Sequence, residues 1–173
     1  MGSNPTLSAI PRLLPSLRII YSPTRAWEDV RAAQPSWMAS LLVQVLPFAA
    51  LCAVPWPSSQ TVFLSLAAVV ILALGFFALA PWFDARRSWN RSMAVAAYAS
   101  TPVLLSWFLL TFPPFAIVPV VALLHSFALA YLGVQQLLDC RESEASLLVA
   151  AAWVFSAFGS MLLGGLCSAA GVL

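Results

Sequence analysis

Apolar positions along this chain do not alternate; they run. Residues 37–54, 61–83, 93–112, 115–138 and 145–170 contain no Asp, Glu, Lys or Arg, and short connections, some charged and some not, separate them. A membrane-spanning helix needs roughly 18–20 apolar residues, and each run is near or above that length. Lipid offers no partner for backbone N–H and C=O groups, so such runs are expected as helices. The pattern predicts an all-α integral membrane protein with five transmembrane helices. Ahead of them the chain is amphipathic. Leu13, Leu14, Leu17, Ile20 and Tyr21 interleave with Arg12, Ser16 and Arg18. Ser22-Pro23 then reads as an N-cap followed by proline at the first helical position. Trp27 and Val30 share one face of the short helix that follows, which ends near Pro35. This predicts an interfacial amphipathic helix on the cytoplasmic leaflet, or a cap packed on the bundle. The chain thus divides into a segment 1–36 and a five-helix domain 37–173.

The charges orient these runs. All eight basic residues are arginines. With the N-terminus in the cytoplasm, Arg12, Arg18, Arg25, Arg31, Arg86, Arg87, Arg91 and Arg141 all fall on the cytoplasmic side, as the positive-inside rule requires. Arg86, Arg87 and Arg91 set this topology, because they lie in the loop between the second and third runs. Five spans then put the C-terminus in the periplasm. Trp37, Trp56, Trp82 and Trp89 fall near predicted interfaces, where indole rings settle.

Composition agrees: 62% of residues are hydrophobic and 8% charged, whereas soluble domains carry about 25% charged residues. The bilayer is therefore the expected solvent. A net charge of +2 is too small to suggest nucleic acid. Cys52, Cys140 and Cys167 form no CxxC pair, and His125 is the one histidine, so neither a zinc site nor another cofactor is expected. The N-terminus has no apolar core of signal-peptide length. Met1-Gly2-Ser3-Asn4-Pro5-Thr6 fits only the loose myristoylation pattern.

Candidate chemistry is sparse. His125 lies mid-run in the fourth span, and an ionisable group there is a functional-site hypothesis by default. Gln44, Tyr98 and Thr101 complete a candidate intramembrane polar site. The alternative is a neutral imidazole tying two helices together, and a kink device at Thr101-Pro102. Asp139, Glu142 and Glu144 read as a solvated loop. No Gly-rich phosphate loop or Ser-His-Asp arrangement is available, so an enzyme is not expected. In the fifth span Ala152, Ser156, Ser160, Gly164 and Ser168 recur every four residues and predict a ridge for close helix packing. A homo-oligomer contact is the alternative use of that ridge.

Four pieces in order carry a resemblance. They are Tyr21-Ser22-Pro23 with Trp27 and Val30; Ala97-Tyr98-Ala99-Ser100-Thr101-Pro102; the turn Phe112-Pro113-Pro114; and Tyr131-Leu132-Gly133-Val134 with Leu137-Leu138. Together they resemble the Yip domain family (Ypt-interacting proteins), most closely its small bacterial inner-membrane branch. One departure is Val134-Gln135-Gln136, where family members often carry a proline. The resemblance implies five spanning helices with a cytoplasmic N-terminus. For eukaryotic members it implies vesicle traffic and contact with small GTPases. The expected function is a non-enzymatic membrane-organising or adaptor protein of the bacterial inner membrane, in contact with the lipid bilayer and a membrane or cytoplasmic protein. The alternative is a small oligomeric transporter or channel with a polar path near His125 and Gln44.

Overall fold

The computed structural model describes residues 18–20, 22–52, 59–109 and 117–169, and every regular element among them is helical. Helix α1 is Pro23–Ala33. Helix α2 is Trp37–Cys52. Helix α3 is Ser59–Leu79, continued by a 3-10 turn at Ala80–Phe83. Helix α4 is Trp89–Leu109, α5 is Val118–Leu137 and α6 is Glu142–Ala169. Thr61–Phe83, α4, α5 and α6 are long and apolar enough to cross a membrane; α2 is apolar but shorter than 18 residues. Arg12, Tyr21, Trp56, the Phe112-Pro113-Pro114 turn and the chain from Ala170 onward lie outside the described residues.

Helix α4 is the centre of the bundle. Of its most apolar stretch 72% is buried inside the protein, against 17% for α6. Small residues make this crowding feasible, because Ser92, Ala94, Ala96, Ala97, Ala99 and Ser100 let neighbouring backbones come close. Helices α2, α3 and α5 pack around α4; α6 packs on α3 and α5; α1 lies on α5. Outward faces are apolar. Val120, Val121 and Leu124 of α5 and Phe158, Met161, Leu162 and Leu166 of α6 are exposed. Water does not tolerate apolar faces of that extent, whereas acyl chains do.

Two helices break their regular winding, each at a proline. In α2, Ser40–Val45 winds as a π-helix, and Leu46 N–H donates to Leu41 O, five residues back. Pro47 has no N–H for Val43 O, and its ring crowds that carbonyl, so the preceding turn opens. In α4 the break is at Ser100, before Thr101-Pro102. The Thr101 hydroxyl donates to Ala97 O at 3.3 Å.

The four-residue ridge on α6 packs only in its first half. Ala152 is fully buried, and Ser156 donates to Ala68 O of α3 at 3.4 Å. Beyond that, Ser160 and Gly164 border an apolar cavity, Ser168 is exposed, and a Cβ at Gly164 would meet nothing within 4 Å. The reason is helical geometry: a strict four-residue step drifts about 40° around a 3.6-residue helix each time. The contact therefore passes from Ser156 to Gly159, where an added Cβ would lie 2.6 Å from Ile71 Cγ2. Gly75 completes the seam from the α3 side, where an added Cβ would lie 3.3 Å from Ala152 O.

Candidate functional site

Helix α1 is fixed to the bundle by a buried face that Trp27 dominates. Pro23 opens the helix, and Ala26, Trp27 and Val30 line its inner face. The Trp27 indole is fully buried. It sits over Gly133 of α5, where any Cβ would come within 2.7 Å of the ring. It also meets Tyr98 of α4 edge-on, ring centroids 6.0 Å apart at 66°. Offset and edge-to-face pairs are the preferred aromatic geometry. Three of the four sequence pieces therefore converge here, since Trp27, Tyr98 and Gly133 come one from each. The apolar face of α1 is turned onto the protein and not toward a leaflet. What α1 leaves exposed is Thr24, Arg25, Glu28, Asp29, Arg31, Ala32 and Ala33.

The polar residues of the spans do not form one site. Gln44 Nε2 donates to Thr101 Oγ1 at 2.7 Å, which joins the π-turn of α2 to the break in α4. Cys52 donates from Sγ to Leu104 O at 2.9 Å, one α4 turn further along. Tyr98 faces Trp27 instead. His125 is half-buried on α5, with its Nε2 buried and unpartnered. A cavity of about 570 Å³ opens between α3, α4 and α6, bordered by Ser65, Ser100, Trp107, Trp153, Ser156 and Ser160. Gln44, Tyr98, Thr101 and His125 are not among its lining residues.

Arg86 and Arg87 before α4, and Arg91 in its first turn, each have a partner. Arg87 lies 4.4 Å above the Phe77 ring, and Phe77 meets Trp89 edge-on at 5.8 Å. Arg91 donates to Leu137 O at 2.7 Å and to Asp139 Oδ2 at 3.1 Å. Arg86 reaches the same carboxylate oxygen at 4.0 Å, and its backbone N–H donates to Leu138 O at 2.6 Å. Asp139 ends α5 with φ 52, a left-handed conformation that Asp tolerates better than most residues. Read in sequence as part of a solvated loop, Asp139 is exposed there, and it also collects ion pairs from α1, the α3–α4 loop and α4. Next to it, burial pushes the Cys140 thiol pKa up, and the negative charges of Glu144 and Asp84 add to the shift. Among the described residues no three His, Cys, Asp or Glu gather as a metal site.

Apolar helices around a small-residue core, with a capping helix keyed into one end, define a multi-pass α-helical membrane protein. Within that class the family is specific. The family model described as the Yip1 domain matches residues 17–164, and the chain belongs to that family. No curated protein and no solved structure matches it.

Proposed function

We propose that this protein is a non-enzymatic adaptor that holds a protein partner at the cytoplasmic face of a bacterial inner membrane. In this reading α2 is the fifth span, the N-terminus is cytoplasmic and the C-terminus periplasmic. Arginine placement supports that orientation. Arg31, Arg86 and Arg91 meet on Asp139, and Arg141 pairs with Asp84 at 3.3 Å, all at one end of the bundle. Basic residues collect on the cytoplasmic side.

The observation that carries the adaptor reading is the anchoring of α1. A helix keyed by Trp27 into α4 and α5 presents its charged outer face at a fixed position, as a recognition surface requires. The test is a photo-crosslinking side chain at Glu28, compared with one at Phe158 on the apolar face of α6. A discrete protein adduct from Glu28, absent from Phe158 and lost with Arg25→Glu, is the expected result. Identical adducts from both positions would sink the adaptor reading. Orientation is tested separately by a reporter active only in the cytoplasm, which should work after Arg87 and fail at Leu173.

A further inference from the structure

The structure draws three guanidinium groups from three separate segments onto one carboxylate. Arg31 Nη2 lies 3.3 Å from Asp139 Oδ1, and Arg91 and Arg86 lie 3.1 and 4.0 Å from Oδ2. Two positive charges are left uncompensated. The neighbouring acids Asp29 and Asp84 are engaged elsewhere, with Arg18 at 2.8 Å and Arg141 at 3.3 Å. The guanidiniums rim a hollow of about 230 Å³ that Gln34, Ser88 and Asn90 also line. Ser88 is the N-cap of α4 but makes no side-chain bond to the first turn, so that helix end adds its own positive potential. Trp37 N–H donates to Asn90 Oδ1 at 3.2 Å, which sets the hollow level with the start of both α2 and α4. A pocket of convergent arginines at the end of membrane helices matches the oxygens of a phosphate group in charge and in hydrogen-bond geometry.

We propose that this hollow binds a phosphate group, supplied by the headgroup of an anionic phospholipid. The lipid source rests on the cytoplasmic placement of this end proposed above; the phosphate chemistry does not. The full chain, purified in neutral detergent, is titrated with dioleoylphosphatidylglycerol, with dioleoylphosphatidylcholine and with inorganic phosphate. Bound lipid is counted by native mass spectrometry, and unfolding temperature is followed in parallel. One phosphatidylglycerol per chain, raising the unfolding temperature, is expected; phosphatidylcholine, with the same tails, should bind more weakly. Arg31→Gln with Arg86→Gln should weaken phosphatidylglycerol binding at least about fivefold, given the attraction of each arginine for anionic lipid. Arg91 is left intact because it also holds Leu137 O. Asp139→Asn keeps a residue that tolerates positive φ while removing the competing carboxylate, so it should tighten binding, a gain that misfolding cannot mimic. Equal retention of both lipids, or unchanged binding in the arginine variant together with no gain in Asp139→Asn, overturns the proposal. Inorganic phosphate that binds and stabilises where phosphatidylglycerol does not would keep the phosphate site and overturn its lipid source.

Discussion

Trp27 and Gly133 are matched by shape, so each makes the other hard to change. An alanine in place of a helical glycine ordinarily gains up to about 1 kcal/mol in helix propensity. At Gly133 the new Cβ would press to 2.7 Å on a rigid, fully buried indole, and overpacking of that kind costs about 1–3 kcal/mol. The clash should win, and Gly133→Ala should lower the unfolding temperature in detergent. Combined with Trp27→Leu, it should cost less than the sum of the two single changes; strict additivity would mean that the two residues do not touch. His125 behaves differently. With Nε2 buried and unpartnered, removing the imidazole leaves no orphan behind at that atom. His125→Leu should therefore be neutral or stabilising, the opposite of what a helix-tying imidazole predicts. A clear loss of thermal stability in that variant would mean that the ring has a partner in the membrane.

At the level of elements, the α3–α6 seam is the most extensive contact between two helices among the described residues, and its register follows a mixed three- and four-residue spacing. Gly159 lies on that register and Gly164 lies off it. Gly159→Leu should cost on the order of 1–3 kcal/mol, because Ile71 is β-branched and cannot swing its Cγ2 aside. Gly164→Leu faces open space and should be tolerated, with a small gain in helix propensity. Parallel thermal melts decide the matter; equal damage from both would show that the ridge continues past Ser160. The π-turn of α2 belongs to the same scale. Nothing in the linear order of residues shows that the turn before Pro47 would leave Gln44 bonded to Thr101.

Across the whole molecule, the loops at the arginine-rich end are joined by backbone and ion-pair links, so Cys140 reports on the integrity of that end. Its thiol pKa is raised, so at neutral pH it carries less thiolate than a free cysteine. A maleimide should label it slowly in the folded protein, faster as pH rises, and much faster after unfolding. The same shift has a stability consequence. A group whose folded pKa is raised contributes fully below the ordinary thiol value of about 8.5 and loses that contribution as pH climbs toward the folded value. Melting temperature should therefore fall more on the alkaline side in the native protein than in Cys140→Ser. Identical alkaline profiles would show that the thiol is not shielded by the fold.

The linear sequence was enough to predict the helices, their apolar faces and the gathering of arginines in a few connections. Each of these follows from a local condition: a run of apolar side chains favours lipid, and its backbone must bond within itself. The family was legible for a similar reason, since its pieces are short and ordered along the chain. What meets what was not legible. Trp27 finds Gly133 and Tyr98, Gln44 finds Thr101, and Asp139 collects Arg31, Arg86 and Arg91 only because helices far apart in sequence take particular rotations about their axes. Rotation is set by the fit of many small residues along α4 at once, and no local pattern encodes it. That is why the four-residue ridge packs within the chain only along the first half of α6, and why the ion pairs that a solvated Asp139 collects could not be read from its loop.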